Sequence, residues 1–519
     1  MAKGLHPLCL LVLLMLSSAG TAQTWRSLRG CCTPDLLNSD TRGASPRRLP
    51  KPNTQWDATK TYRQLVLLMS FSDTDFLSQD PRASYDSIFN YPGYNKGLGP
   101  GCVADYFREQ SGGLFNLQFD VYGPFRIGSK AQPYSHPTSE TMNDGRSQIS
   151  TVVKQLLESQ AVADFSVYDW DNNGYVNQVI IVYAGYGGNQ DDQVCYGHIW
   201  PNTGNINPVV TPSGKNIYRF TASAELWSNN SPCGIGTVCH EYSHSLGLPD
   251  IYPTNGWAYS TVDEWDLMDG GNFTNWGWCP PNYSPLEKML LGWLTPVELT
   301  DPQSVSNLKP VAEGGCAYKV SHSSNEYLLL ENRQQRGWDA GLPGRGLVVY
   351  HVNYDASKWN ANTVNNVTNK FYYSIIHADG LSYSDWERLL IQRGIGLGMR
   401  KYQNPACMNS YLLSSSPYPW TTDSTQTVNN ELTDDSTPAS VMYGGNLSKP
   451  ITNIRMNGEG LVSFEFMGGQ SVQVSTPVDD MTLPAARTFD LLGRRVGVQP
   501  YPKRGTIVVG KDRKIIKRK

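Results

Sequence analysis

The spacing of apolar and polar positions changes along the chain and indicates regions of different secondary structure. From residue 61 onward, apolar runs such as YRQLVLLMSFSD and VNQVIIVYAGYG predict short buried strands. Between these runs, apolar residues from Ile149 to Leu157 recur at the three- and four-residue spacing of one helix face. We therefore expect residues 61–296 to form an α+β region around one core.

Beyond residue 296 the pattern becomes a series of short strands separated by turn residues, as in EYLLLENR, RGLVVYHVNY and LVSFEFMGG. This pattern predicts an all-β, sandwich-like region over residues 297–470. Residues 471–519 begin as a polar linker and end in two strand-like pieces, TFDLLGRRV and RGTIVVGKDRKIIKRK. They predict a small β module.

The first residues, MAKGLHPLCLLVLLMLSSAGTA, have the pattern of a secretory signal peptide over residues 1–22. The apolar run from Leu8 to Leu16 is too short to cross about 30 Å of hydrocarbon, so we expect export without a membrane span. Residues 23–60 are polar and rich in Pro, Ser and Arg. They predict a linker or a removable pro-segment, as in a zymogen.

Length, charge and cysteine usage limit the classes of protein that remain. A chain of 519 residues indicates two to four domains. A net charge of −3 is too small to imply nucleic acid or a membrane as the main partner. Removal of Cys9 with the signal peptide leaves nine of the ten cysteines, so at least one cannot join an intramolecular pair. Disulfides and buried thiols both stay open.

The segment CHEYSHSLGLPD has the spacing of a catalytic zinc site. His240 and His244 lie one helical turn apart, so both ring nitrogens can bind a single Zn²⁺. Glu241 lies beside the metal, where it can take a proton from a water whose pKa the metal lowers to about 7. A glycine, Gly247, ends the helix and lets Asp250 return as the third ligand. One position then stays open for water, as catalytic zinc requires.

Glu264 is a rival third ligand, since it lies twenty residues past the second histidine, where thermolysin-like enzymes place a glutamate. The early glycine at position 247 favours Asp250, because it indicates that the chain turns back at once. Met268, in WDLMDGG, is similar to the methionine that metzincins place in a tight turn beneath the zinc.

HEYSHSLGLPDIY, WDLMDGG and SPLEKMLLGWL together resemble the immune-inhibitor-A family of secreted bacterial metallopeptidases, and the resemblance covers roughly residues 62–380. It implies a metzincin-like catalytic fold and a peptidase. Ser243 departs from the pattern, because family members often carry glycine there. The site residues that the resemblance implies are the zinc ligands His240, His244 and Asp250 and the catalytic acid/base Glu241.

A second metal site is suggested by DWDNNG, in which Asp169, Asp171 and Asn173 occupy alternate positions before Gly174. This is the first half of a Ca²⁺ loop. The twelfth position is Ile180 rather than glutamate, so an Asx-rich turn is the alternative. Calcium at this loop would stabilise the fold and take no part in hydrolysis.

A few further residues are candidates for latency or for stabilising the transition state. The pair Cys31 and Cys32, in RGCCTPD, is similar to the pro-segment motif by which matrix metalloproteinases bind their zinc with a thiolate, but a disulfide or an ordinary cysteine pair is the alternative. The lone histidines at positions 198 and 351 read as core residues or as groups that stabilise the transition-state oxyanion. Tyr252 and Tyr259 are further candidates for that role.

The C-terminal residues 494–519 carry ten Lys or Arg against one acid. This charge could serve an electrostatic contact with lipopolysaccharide, nucleic acid or a partner. The segment also resembles the C-terminal sorting domain of the type-nine secretion system, which implies the export machinery as a partner.

Together these observations predict a secreted zinc endopeptidase that hydrolyses protein or peptide substrates with a zinc-activated water. The alternative is a non-catalytic surface protein with a structural metal and a β-sandwich ligand-binding domain. A metal hydrolase that acts on something other than peptide is a further possibility.

Overall fold

The structure, a computed structural model, describes residues 56–469 except for the gaps 97–98, 134–142, 191–192, 256–260, 368–369, 382–412 and 422–427, together with four short strands between residues 488 and 517. The predictions on the signal peptide, most of the pro-segment, Cys31, Cys32 and Tyr259 lie outside the described residues. Contacts divide the chain into two units, Met1–Gln470 and Ser471–Lys519. No helix among the described residues is long and apolar enough to cross a membrane.

A five-stranded sheet with the order β2-β1-β3-β5-β4 forms the first part of the larger unit. Four strands run parallel, and β4 pairs antiparallel with β5 at one edge. The central strands are buried on both faces, which explains their continuous apolar sequence. The strand bounds are β1 Thr61–Ser70, β2 Asn116–Arg126, β3 Val179–Tyr186, β4 Asn202–Val210 and β5 Asn216–Leu226.

Helices cover both faces of this sheet. The helix predicted from the spacing around Ile149 is confirmed, and its buried side chains share a cluster with Leu65 and Leu67. The alternate residues, Val66 and Leu68, face a second cluster, which contains buried side chains of the helix Gly236–Leu246, called the histidine helix below. The helices are α1 Pro81–Asn90, α2 Val103–Gln110, α3 Arg146–Ser159, α4 Gly236–Leu246, α5 Pro285–Leu290 and α6 Ala356–Asn360. Short 3₁₀ segments are Phe165–Tyr168, Gln193–Cys195, Asp263–Trp265, Gly271–Gly277, Val311–Glu313 and Gly337–Gly341.

The rest of the larger unit is rich in β structure, as predicted. It contains a five-stranded sheet, β11-β10-β9-β8-β6, a three-stranded sheet, β16-β17-β7, and two strand pairs, β12-β13 and β14-β15. The strands are β6 Val297–Glu298, β7 Gln303–Leu308, β8 Tyr318–Ser321, β9 Glu326–Arg333, β10 Gly346–Asn353, β11 Tyr373–Ile375, β12 Trp420–Thr421, β13 Val428–Asn429, β14 Val441–Met442, β15 Gly445–Asn446, β16 Ile451–Met456 and β17 Val462–Phe466.

The sheet that contains β9 and β10 has apolar side chains on both faces. On one face, Leu328 and Val349 share a cluster with Phe464 of the three-stranded sheet, which is a sandwich-like arrangement. On the other face, Leu329 and Tyr350 join the cluster that contains the histidine helix. The proposed division at residue 296 therefore does not separate two hydrophobic cores, and the domain bounds stay a prediction.

The smaller unit contains a four-stranded antiparallel sheet with the order β19-β18-β20-β21. Its strands are β18 Thr488–Phe489, β19 Arg495–Gly497, β20 Ile507–Val509 and β21 Ile515–Lys517. The β character predicted for this segment is present, and its role as a sorting module stays a prediction.

Candidate metal centre

The histidines lie on α4, a helix that packs closely against the chain near residue 272. A Cβ at Gly236, its first residue, would lie 2.0 Å from the carbonyl oxygen of Asn272, so only glycine allows this approach. The helix ends at Gly247, which adopts a φ of +106°. The sequence prediction of a glycine stop is thus confirmed, and the chain turns back directly after it.

The turn brings Asp250 back to both histidines. Its Oδ1 lies 3.1 Å from Nε2 of His240 and 3.2 Å from Nε2 of His244. One ligand atom from each of the three residues falls within 4.8 Å of the others, and all three side chains are buried. Two atoms bound to one zinc at 2.0–2.1 Å in tetrahedral geometry lie about 3.3 Å apart, so the donor set fits this ion.

Backbone carbonyls determine which ring nitrogen faces the metal position. Nδ1 of His240 lies 2.7 Å from the carbonyl oxygen of Leu267, and Nδ1 of His244 lies 2.8 Å from that of Leu248. Since a carbonyl oxygen only accepts hydrogen bonds, each Nδ1 carries the proton. In the neutral rings both Nε2 lone pairs then point at the Asp250 carboxylate. Electron-rich atoms in this arrangement need a positive charge between them, which a metal ion or a proton on a ring supplies. Carbonyl contacts of this kind commonly orient metal-bound histidines.

The electrostatics of the buried groups agree with this requirement. Burial by itself raises the pKa of Asp250, but the His244 and His240 rings outweigh it and hold that pKa well below its usual range. Burial lowers the pKa of His240, whereas the hydrogen bond with Asp250 and the charge of Glu241 raise it overall. The carboxylate therefore stays ionised, as a metal ligand must.

Glu241 follows the first histidine and is fully buried. Its backbone carbonyl accepts hydrogen bonds from the hydroxyl groups of Thr203 on β4 and Thr221 on β5. These contacts attach the middle of α4 to the edge of the parallel sheet. The sheet thus fixes the backbone at Glu241, directly after His240.

Met268 lies in a tight turn that touches the site through its backbone. Its N–H donates to Oδ1 of Asp266 at 2.8 Å, and its carbonyl accepts from the N–H of Ile251 at 2.8 Å. The preceding carbonyl, of Leu267, is the partner of His240. The turn therefore contacts His240 through the carbonyl of Leu267, and it contacts Ile251, the residue after Asp250, through the carbonyl of Met268. The metzincin-like character of the whole fold stays a prediction.

The rival ligand Glu264 does not join the cluster. It lies in the segment Asp263–Trp265, before the methionine turn, and it is half-buried. Among the described residues, only His240, His244 and Asp250 form a group of three or more His, Cys, Asp or Glu that could hold one metal ion. The geometry thus favours Asp250, as the sequence argument does.

Ser243, the departure from the family pattern, fits its position without disturbing the helix. Its hydroxyl donates to the carbonyl oxygen of Cys239 at 2.6 Å and is also hydrogen-bonded to the Tyr283 hydroxyl. The serine is therefore satisfied within the core.

The candidate calcium loop has a different cation next to it. The buried carboxylate of Asp169 accepts hydrogen bonds from the backbone N–H groups of Asn173 and Gly174 at 2.9 Å each. The Lys215 ammonium lies 2.7 Å from its Oδ2, and Asp171 is hydrogen-bonded by the Asn173 amide. Because lysine already supplies the positive charge, this geometry favours the Asx-rich turn over a Ca²⁺ site.

The two lone histidines have the surroundings of neutral core residues. Burial lowers the pKa of His198 to about 4. Burial also lowers the pKa of His351, although Nε2 of this ring lies 2.9 Å from a Glu326 carboxylate oxygen. Among the oxyanion candidates, Tyr252 stacks its ring 6.4 Å from that of His240.

Described cysteines occur as thiols: Cys102, Cys195, Cys233, Cys239, Cys279 and Cys316. One residue at the centre was not predicted from the sequence: Asn362, whose side-chain amide forms hydrogen bonds with both the backbone N–H and the carboxylate of Asp250. No local motif marks this asparagine, because it lies 112 positions away in the chain.

Comparisons with known proteins identify relatives of the region that contains α4. Residues 54–290, a little under half of the chain, match the family described as immune inhibitor A peptidase M6, catalytic domain. The chain is 25% identical to immune inhibitor A of Bacillus thuringiensis subsp. alesti, over 43% of this chain and 38% of that protein. It is 23% identical to the pre-pro-metalloprotease PrtV of Vibrio cholerae serotype O1, over 43% of this chain and 26% of that protein. The alignments cover well under two thirds of these relatives. The family match and the metalloprotease name of a relative support a metallopeptidase of the immune inhibitor A family in residues 54–290 of this chain.

Proposed function

We propose that this chain is a secreted, zinc-dependent endopeptidase whose metal ligands are His240, His244 and Asp250 and whose general base is Glu241. The observation that carries the proposal is the meeting of two imidazole Nε2 atoms with one carboxylate oxygen, at 3.1 and 3.2 Å, in a fully buried position. Imidazole and carboxylate are ligands that zinc prefers.

Zinc bound by these three residues would polarise a peptide carbonyl and lower the pKa of the attacking water. The backbone carbonyl of Glu241, the residue directly after His240, accepts hydrogen bonds from β4 and β5, which supports a fixed position for this residue. Its carboxylate takes the proton of the attacking water and then gives it to the amine that leaves. A general base in this role contributes roughly 10²–10⁴-fold to the rate.

The number of ligands supports catalysis over a structural metal. Structural zinc sites have four protein ligands, whereas catalytic sites have three and keep one position for water. The part of the chain that the structure describes contributes three such side chains to this group. This count favours the peptidase over the alternative of a non-catalytic binding protein.

Export of the protein rests on sequence pattern. Residues 1–22 have the composition of a signal peptide, and residues 471–519 resemble a type-nine sorting module. Protein or peptide substrates follow from the metalloprotease resemblance. Since this chain covers only 38% and 26% of the two relatives, their whole-protein activities are not transferred to it.

The test compares casein hydrolysis and bound zinc in wild type, Glu241→Gln, His240→Ala and Glu158→Gln. Glu158 lies on the exposed side of α3 and provides the matched control for the same change. We expect Glu241→Gln to keep its zinc and lose at least about 10²-fold in activity. His240→Ala should lose zinc and activity together, and Glu158→Gln should match wild type. Full activity of Glu241→Gln, or a wild type that binds no zinc, would contradict the proposal.

A further inference from the structure

A segment of the β-rich region, residues 360–366, lies against the loop that carries the third candidate ligand. Oγ1 of Thr254 donates to the carbonyl oxygen of Asn362 at 2.8 Å. The Asn365 amide donates to the carbonyl oxygen of Ile251 at 2.9 Å, and the N–H of Thr254 donates to Oδ1 of Asn366 at 2.8 Å. Two regions separated by more than a hundred residues are thus joined at the loop that follows α4.

Asn362 contacts Asp250 itself through both ends of its side-chain amide. Its Nδ2 donates to Oδ2 of Asp250 at 2.6 Å, and its Oδ1 accepts from the N–H of Asp250 at 2.7 Å. Both side chains are buried, with 4% of Asn362 and none of Asp250 exposed. The amide therefore fixes the rotation of the carboxylate and occupies Oδ2. It leaves Oδ1 directed at the two histidines.

The backbone at Asn362 determines where this amide lies. The residue lies two positions after the end of α6 and has a φ of +56°, a left-handed conformation that asparagine tolerates better than most residues. Its N–H donates to the carbonyl oxygen of Trp359, a fully buried side chain. The end of α6 thus holds the amide in place before any metal binds.

The neutral charge of the Asn362 amide also suits a partner of a metal-binding carboxylate. A buried carboxylate needs hydrogen-bond donors, and a neutral amide supplies one without cancelling the negative charge. The contrast with Asp169 is direct, because there the ammonium of Lys215 neutralises the carboxylate. Asp250 keeps its charge available for a cation on the opposite oxygen.

We propose that Asn362 is a positioning residue that holds Asp250 as a one-oxygen metal ligand, so that the β-rich region completes the metal site. The inference rests on the proposed function, because it assumes that Asp250 binds zinc. It assigns a role to the region after residue 296, which the catalytic motif does not contain. Partners that orient metal ligands typically contribute about 10–100-fold to metal affinity.

The main test measures zinc affinity by competition with a chromogenic chelator in Asn362→Gly and in a matched control, Asn453→Gly. Asn453 also has a positive φ, +50°, and its amide donates to the carboxylate of Glu465 at 2.7 Å, but it lies on the exposed face of β16. Glycine suits the backbone at both positions. We expect the zinc dissociation constant to rise about 10–100-fold in Asn362→Gly and to stay within twofold in Asn453→Gly.

A second variant, Asn362→Asp, separates positioning from simple bracing of the loop. It keeps the oxygen that accepts from the N–H of Asp250 and replaces only the donor to Oδ2. Two carboxylate oxygens then oppose each other, so Asp250 turns away or shares a proton, and zinc affinity should fall at least about tenfold. If Asn362 acts only through its hydrogen bond to the backbone of Asp250, the zinc affinity of this variant should equal that of the wild type.

The outcomes distinguish this inference from the proposed function. A wild type that binds no zinc, or a His240→Ala variant that binds it normally, overturns the proposed function. A wild type that binds one zinc ion, with both Asn362 variants within twofold of it, overturns the positioning role alone. Circular dichroism and the unfolding midpoint of each zinc-free variant show whether the chain is folded. If Asn362→Gly fails to fold, the zinc affinity of Asn362→Asp alone decides whether Asn362 positions Asp250.

Discussion

A buried carboxyl pair beneath the methionine turn predicts an unusual dependence of stability on pH. Asp266 and Glu287 are both buried, and their carboxyl groups lie close enough to affect each other's pKa directly. One oxygen of each has a backbone donor, from Met268 and Ser284 respectively. No donor from the described part of the chain reaches Oδ2 of Asp266 or Oε1 of Glu287. A proton shared between the two carboxyl groups satisfies both oxygens.

The pKa values give the direction of the effect. Burial raises the pKa of Asp266 from 3.8 to about 6, although the N–H of Met268 acts to lower it. Burial and the charge of Asp266 raise the pKa of Glu287 well above its usual value. Since folding favours the protonated pair, its contribution is fully present below about pH 4 and is lost as the pH rises through about 6 and beyond.

The perturbation is Glu287→Gln, which keeps the shape of the side chain. The amide oxygen still accepts from the N–H of Ser284, and the amide nitrogen donates permanently to Asp266 in place of the shared proton. We therefore expect the variant to gain stability relative to wild type as the pH rises from 4 to 8, because only wild-type folding keeps a proton that unfolded Glu287 loses near its usual pKa of 4.5. At pH 8 this gain is at most about 5 kcal/mol.

The assay is urea unfolding of both proteins at several pH values with zinc present in excess. Comparison of the variant with wild type at each pH cancels the titration of the metal ligands, which both proteins share. Glu158→Gln, on the exposed side of α3, serves as the control for loss of one carboxylate. A difference between variant and wild type that is the same at pH 4 and pH 8 would refute the shared proton.

Two further predictions concern buried ion pairs. Lys215→Met removes the ammonium that pairs with the buried carboxylate of Asp169, so we expect the free energy of unfolding, measured in urea, to fall by about 1–3 kcal/mol. Added calcium should leave the unfolding midpoint of the wild type unchanged. Arg333→Met leaves the buried Asp339 without its cation and should destabilise the protein by about 3–5 kcal/mol. Arg336→Met, at an exposed ion pair, is the control and should change stability by at most about 1 kcal/mol.

Local features of the chain were predictable because they depend on residues close in sequence. The helix period places His240 and His244 on one side of α4, and the positive φ of Gly247 ends that helix. The apolar spacing of α3 and the continuous apolar strands follow from the same short-range rules. The resemblance to a known family predicted a metallopeptidase, and the match over residues 54–290 supports this prediction.

The calcium loop shows where a local motif is insufficient. The alternation of Asp169, Asp171 and Asn173 is correct for oxygen ligands, but the sequence gives no sign that Lys215, 46 positions later, reaches the same carboxylate. Packing across residue 296 shows the same limit. A change from helical to β pattern marks secondary structure, but it does not show that one face of β9 and β10 shares a hydrophobic cluster with α4.

The sequence by itself thus determined the two histidines, the glutamate between them and the turn that carries Asp250, since helix period and glycine conformation act over a few residues. Only the tertiary structure decided that Asn362 holds Asp250, that Thr203 and Thr221 attach α4 to the sheet, and that Asp266 meets Glu287. These contacts join residues far apart in the chain. Their partners are selected by packing of buried polar groups, which no local pattern encodes.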